Sequence, residues 1–166
     1  MNWARVLPVE QQNEGESTMQ GTSLKNLILG FIAGAIATVT VHEMICYYFY
    51  SAGLFPRQPW SLNPAAMTGV PQIVSDMAWG GIWGSIFAMI LGDVPQGSMT
   101  LKGLLLGIVG PAILGVFILV PLVTGRFPLF FGGDPAFIVP VLAILAGFGA
   151  ATAWLYGFMS SGCKLP

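Results

Sequence analysis

The chain has 166 residues, of which 55% are hydrophobic and 8% charged, with a formal net charge of −1; its mean hydropathy is +0.76. An ordinary soluble domain carries about 25% charged residues, so the composition excludes a soluble enzyme and a disordered regulator. The six Lys and Arg are scattered and make no basic footprint, which argues against a nucleic-acid partner. The bilayer is the solvent that suits this chain.

In chain order, residues 1–22 are polar and include Glu10, Glu14 and Glu16. They lack the apolar core of a signal peptide, so no cleavable leader is expected, residues 11–21 read as a flexible tail, and the first span acts as an uncleaved anchor. Residues 23–166 read as one four-span transmembrane domain. A membrane helix needs about 20 mostly apolar residues. Four stretches qualify, at roughly 26–50, 71–92, 102–124 and 136–159. Gly53, Pro56, Pro59 and Pro64 break the chain after the first. Asp93, Pro95 and Gly97 break it after the second, and Gly125, Pro128, Gly132, Gly133 and Pro135 after the third. Continuous period-two alternation is absent, so these are helices rather than barrel strands. The expected fold is all-α, an integral membrane four-helix bundle.

Four spans put both termini on one side. Arg5, Lys25, Lys102 and Lys164 then share a face, Arg57 and Arg126 take the other, and the imbalance predicts cytoplasmic termini. Tyr47, Tyr48, Tyr50 and Trp60 suit an outer interfacial belt, with Phe127, Phe130 and Phe131 dipping into the same layer. Trp154 and Tyr156 suit the inner belt. Cys46 and Cys163 fall near opposite faces and are expected as free thiols.

The two halves resemble each other. Residues 23–30 (SLKNLILG) align with 100–107 (TLKGLLLG). Each odd span is followed by Phe-Pro (Phe55-Pro56, Phe127-Pro128). Next come Asn63-Pro64-Ala65 and Asp134-Pro135-Ala136, and then Val-Pro (Val70-Pro71, Val139-Pro140). This order predicts a tandem repeat of two-helix units in parallel orientation, related by an axis along the membrane normal. The alternative is ordinary recurrence of such starts and loops in a polytopic protein. Small residues at four-residue spacing mark ridges for close helix packing: Gly30 and Gly34, Gly80 and Gly84, Gly103 and Gly107, and Ala143, Gly147 and Ala151. Pro111 in mid-span is expected to kink the third helix and free a carbonyl.

Ionisable groups inside a span are costly and are candidates for function. His42, Glu43 and Asp76 are the three, all counted into the outer third of the membrane. Their counterparts in the second half are Leu119, Val120 and Leu145, so duplication alone does not account for them. Three readings stand open. One is a structural network joining spans 1 and 2. Another is a proton or solute site. The third is a metal or cofactor site, with His42 and Cys46 at i, i+4 and Asp76 as a third ligand. Arg57, in the proline-stiffened loop 54–60, offers a counter-charge to Glu43 or Asp76. Trp79 and Trp83, one turn apart, serve either as packing or as an aromatic platform for a pigment, quinone or lipid. No cofactor can be named. Zinc-protease, P-loop, dinucleotide and Cys-x-x-Cys signatures are missing, as is a nucleophile elbow, so nothing marks an enzyme.

Residues 30–34 (GFIAG), His42 and the loop prolines, followed by Gly69-Val70-Pro71, Ser75 and residues 79–84 (WGGIWG), resemble a group of small, uncharacterised four-span inner-membrane proteins of bacteria. The likeness is densest in spans 1 and 2. It implies four helices and a bacterial inner-membrane location, and supplies no activity. Glu43 departs from the pattern, in which an amide is commoner beside the histidine. Two function classes follow. The first is an accessory or assembly subunit that docks on a membrane-protein partner, or on a second copy, through its glycine ridges. The second is a small transporter or ligand-binding protein using the His42, Glu43 and Asp76 cluster.

Overall fold

A computed structural model describes residues 24–66, 68–92, 98–125 and 127–161. Residues 1–22, Arg126, Cys163 and Lys164 lie outside them. Four helices are long and apolar enough to cross a membrane: α1 (Leu24–Ser51), α2 (Gln72–Leu91), α3 (Met99–Thr124) and α4 (Pro135–Ser160). The fold is therefore an all-α four-helix bundle, with helix bounds within a few residues of those the hydropathy pattern predicts. The ends carry the expected chemistry. The Ser98 hydroxyl accepts from the Leu101 N–H, and Asp134 Oδ1 accepts from the Ala136 N–H, with Pro135 opening the helix. Gly92 and Gly125 close α2 and α3 with φ of 69° and 61°, a backbone region open mainly to glycine.

Each half folds as a helical hairpin crossed at glycines. A Cβ on Gly30 or Gly34 would collide with the carbonyl oxygen of Gly84 or Gly80. One on Gly103 or Gly107 would collide with that of Gly149 or Leu145. Lipid gives helices no hydrophobic reason to associate, so this backbone approach supplies the packing. The crossings differ in register. Gly30 aligns in sequence with Gly107, and Gly84 with Ala153, yet Gly107 meets Leu145. Gly147 joins the hairpins instead, facing the Ile45 side chain of α1.

The hairpins meet along α1 and α4, while α2 and α3 stand apart and leave a cleft. Trp83 spans it, its ring lying on Gly110 and Gly115 of α3. The interior is filled by Phe87, Phe148, Phe117 and several alanines. Outward faces carry Ile28, Ile36, Ile90, Leu105 and Val139, as a lipid-facing surface requires. Tyr47, Tyr48, Tyr50, Trp60 and Trp154 are exposed. Tyr156 is not a belt residue: it is fully buried, and its hydroxyl donates to the Gly92 carbonyl at 3.0 Å. It ties the C-terminal end of α2 to α4.

Two stretches are wound more widely than an α-helix, with i→i+5 bonding: Thr38–His42 in α1 and Ile108–Leu119 in α3. The second contains Pro111, which lacks an N–H and whose ring crowds the carbonyl four residues back. A wider turn accommodates both.

Candidate functional site

The helices reach different heights. Gly34 abuts Gly80 in an antiparallel pair, so one turn on Thr38 stands level with Asp76, and His42 with Gln72. From there α1 continues through nine more residues, Glu43–Ser51, or about 14 Å at 1.5 Å per residue. α2 has no residues opposite that extension. The connecting chain folds back into the space above its N-terminus. The Gln72 and Ile73 N–H groups donate to the carbonyls of Asn63 (2.9 Å) and Ser61 (3.1 Å), so loop backbone takes the place of a side-chain cap.

That path carries Arg57 inward, to a point between two helices. Its Nη2 donates to Glu43 Oε1 at 3.0 Å and also to Asp76 Oδ2. Asp76 Oδ1 accepts from Gln72 Nε2 at 2.7 Å, one turn earlier on α2. Glu43 is fully buried. Its Oε1 also meets His42 Nδ1 at 3.0 Å, and its Oε2 accepts the Trp60 N–H at 2.6 Å. The Trp60 indole donates to the Val39 carbonyl at 2.9 Å, within the widened turn of α1. Burial alone would discourage the charge on Arg57, but the Asp76 and Glu43 carboxylates outweigh it and raise its pKa above the usual arginine value. Among the described residues, no buried side-chain nitrogen or oxygen lacks a hydrogen-bond partner, as a polar cluster in lipid requires.

The cluster holds two carboxylates against one guanidinium. With a neutral imidazole its formal charge is −1, and one added proton makes it neutral. His42 provides a place for that proton. With Glu43 as acceptor, Nδ1 carries a hydrogen, and Nε2 has no hydrogen-bond partner among the described residues.

Beside this cluster, in the cleft between α2 and α3, lies a cavity of about 350 Å³. His42, Asp76 and Thr38 form its polar end. Trp79 and Trp83 form one wall, the widely wound part of α3 the other, and Phe148 stands edge-on to the His42 ring. Leu119, Val120 and Leu145 also line it. These are the residues that fall opposite His42, Glu43 and Asp76 when the two halves of the sequence are aligned. A smaller hollow of about 270 Å³ beneath the loop, against Phe55 and Phe137, has no charged lining.

The residues singled out in the sequence thus converge, with corrections. Arg57 is the counter-charge to both carboxylates rather than to one. His42 and Asp76 are linked through Glu43 and Arg57, not by a direct hydrogen bond. Glu43 is the hub. The weak metal set of His42, Cys46 and Asp76 does not assemble: no group of three His, Cys, Asp or Glu side chains suited to a metal occurs among the described residues. The physical reason is Arg57, which already occupies the cation position. The Cys46 thiol lies 3.7 Å from Arg57 Nη1 and 3.5 Å from its carbonyl oxygen. Sequence reasoning missed Gln72, whose i, i+4 spacing to Asp76 was the available signal. It missed the inward anchoring of Trp60 and the whole α3 wall, for which single-residue chemistry carries no signal. No family model, curated protein or solved structure matches the chain.

Proposed function

We propose that this chain binds a lipophilic small molecule drawn from the bilayer into the cleft between α2 and α3, as a small transporter or ligand-binding membrane protein. The cavity carries the reading. It joins apolar and aromatic walls to one polar end, which is the usual anatomy of a ligand site, and it opens between two helices that face lipid. Trp79 and Trp83 are then the aromatic platform, and His42 and Asp76 orient the polar end of the ligand.

The glycines that suggested a docking ridge are spent inside the bundle. Gly30, Gly34, Gly80 and Gly84 close one hairpin, Gly103 and Gly107 the other, and Gly147 the joint between them. An accessory subunit docking on a partner or a second copy would need a different face. The tandem repeat belongs to the same proposal. Counterpart positions of the two halves line one cavity, and a site at the interface of parallel repeats is a known plan for transporters. So do the family resemblance and a bacterial inner-membrane location with cytoplasmic termini, in which the site sits in the outer half.

The test uses a neutral dansyl alkyl amide and the protein in lipid nanodiscs. Saturable energy transfer from tryptophan to dansyl is expected, and Val116→Phe, which fills the cavity, should abolish the saturable part. Transfer that rises linearly with probe and is the same in both proteins would mean partition into lipid alone and end the proposal.

A further inference from the structure

We infer that the ligand is a cationic amphiphile, whose ammonium-type head exchanges for a single proton at the His42–Asp76 end of the cavity. This rests on the binding site proposed above and names what it takes. Three observations support it.

The first is charge. Glu43, Arg57 and Asp76 leave one negative charge uncompensated when His42 is neutral. In a low-dielectric setting such a charge demands a partner. Two partners satisfy it equally: a proton on the cluster, or a cation in the adjoining cavity. The second is what surrounds the site. His42 is faced by Glu43 on its own helix, by Asp76 across from α2 and by Arg57 from the loop. Residues 103–124 of α3 and the whole of α4 contain no charged side chain, so neither of these stretches of the facing hairpin supplies a counter-charge. Arg57 is already bonded to both carboxylates and is not among the residues that line the cavity. The third is the wall. The indoles of Trp79 and Trp83 line the same space, and indole faces attract ammonium groups when water is excluded.

The exchange balances without any covalent step. The protonated, neutral cluster takes up the cation and releases one proton, from imidazolium Nε2 or from the Asp76 carboxyl. The product is again neutral. Cation and proton therefore compete for one charge, and a gradient of either can drive the other.

The test compares a dansyl alkyl trimethylammonium, whose own charge does not titrate, with the neutral dansyl amide of the same shape. Saturable energy transfer in nanodiscs gives both affinities from pH 5 to 9. The ammonium should bind the more tightly, and its affinity should rise by up to about tenfold per pH unit where the site titrates, while the amide is flat. Calorimetry in two buffers of different ionisation heat should show about one proton released per ammonium bound. Asp76→Asn, checked for monodisperse elution and helical content, should lose both the ammonium preference and the proton release. The wild-type data decide alone if that variant does not fold. Saturable amide binding with equal ammonium affinity, or with no pH dependence, would overturn this inference and leave the binding site standing. Absence of saturable binding by either probe would overturn both.

Discussion

The two hairpins of this bundle are built alike and differ in what they bury. Both are held by glycines that bring one backbone against another, and both start from the same Leu-Lys and Pro-rich punctuation. The α1–α2 hairpin encloses a fully buried carboxylate, a second carboxylate, a guanidinium and an imidazole. The α3–α4 hairpin places leucine and valine at the matching positions and contains no charge between residues 103 and 125 or between 135 and 161. The difference teaches where specificity comes from in lipid. Glycine contacts are enough to make a hairpin, and they are indifferent to polar content. A polar site needs more: a short α2, and a loop long enough to return Arg57 to the level of Asp76. The cavity forms where the polar hairpin and the apolar one face each other across the gap between α2 and α3.

The sharpest way to break the contrast is to remove the counter-charge. Arg57→Met leaves Glu43 and Asp76 in the bundle without their cation, and breaking a buried ion pair in this way costs about 3–5 kcal/mol. Thermal unfolding in mild detergent should show the first hairpin losing its tertiary packing. A variant as stable as wild type would show that the network does not hold the hairpin together. Next in size, Gly34→Val and Gly107→Val each push a side chain into a facing carbonyl. Overpacking of this kind costs about 1–3 kcal/mol, and the two losses should be comparable because the contacts are of one kind. A loss confined to Gly34→Val would mean that the second hairpin is held by something other than its glycine crossing. The smallest effect belongs to Trp60→Phe. It keeps an aromatic ring at the loop and removes only the indole bond to the Val39 carbonyl, a change of about 1 kcal/mol. Hydrogen exchange at the widened turn Thr38–His42 should quicken while the rest of α1 is unchanged; uniform exchange would refute the anchoring role.

Legibility followed the range over which each feature is decided. Four spans could be read because hydropathy over about 20 residues decides membrane insertion locally. The glycine ridges could be read from their spacing, and each one has a packed neighbour in the bundle. His42, Glu43 and Asp76 stood out because lipid makes every ionisable side chain conspicuous. The roles within that group could not be read. Glu43 lies toward the end of the first span, and its burial depends on the loop that folds over it. Tyr156 and Trp154 have similar amphipathic side chains near one helix end, and only the rotation of α4 puts one inside and the other out.

The sequence by itself therefore determined the solvent, the number of helices, their close-packing faces and the residue types able to do chemistry. Each of these is a property of a single segment in contact with water or lipid. The tertiary structure alone decided that Arg57 serves both carboxylates, that α2 starts below the C-terminal end of α1, and that a gap remains between α2 and α3. Those features depend on helix register, helix rotation and the path of a loop. They are set by the simultaneous packing of all four helices, and no single stretch of chain encodes that.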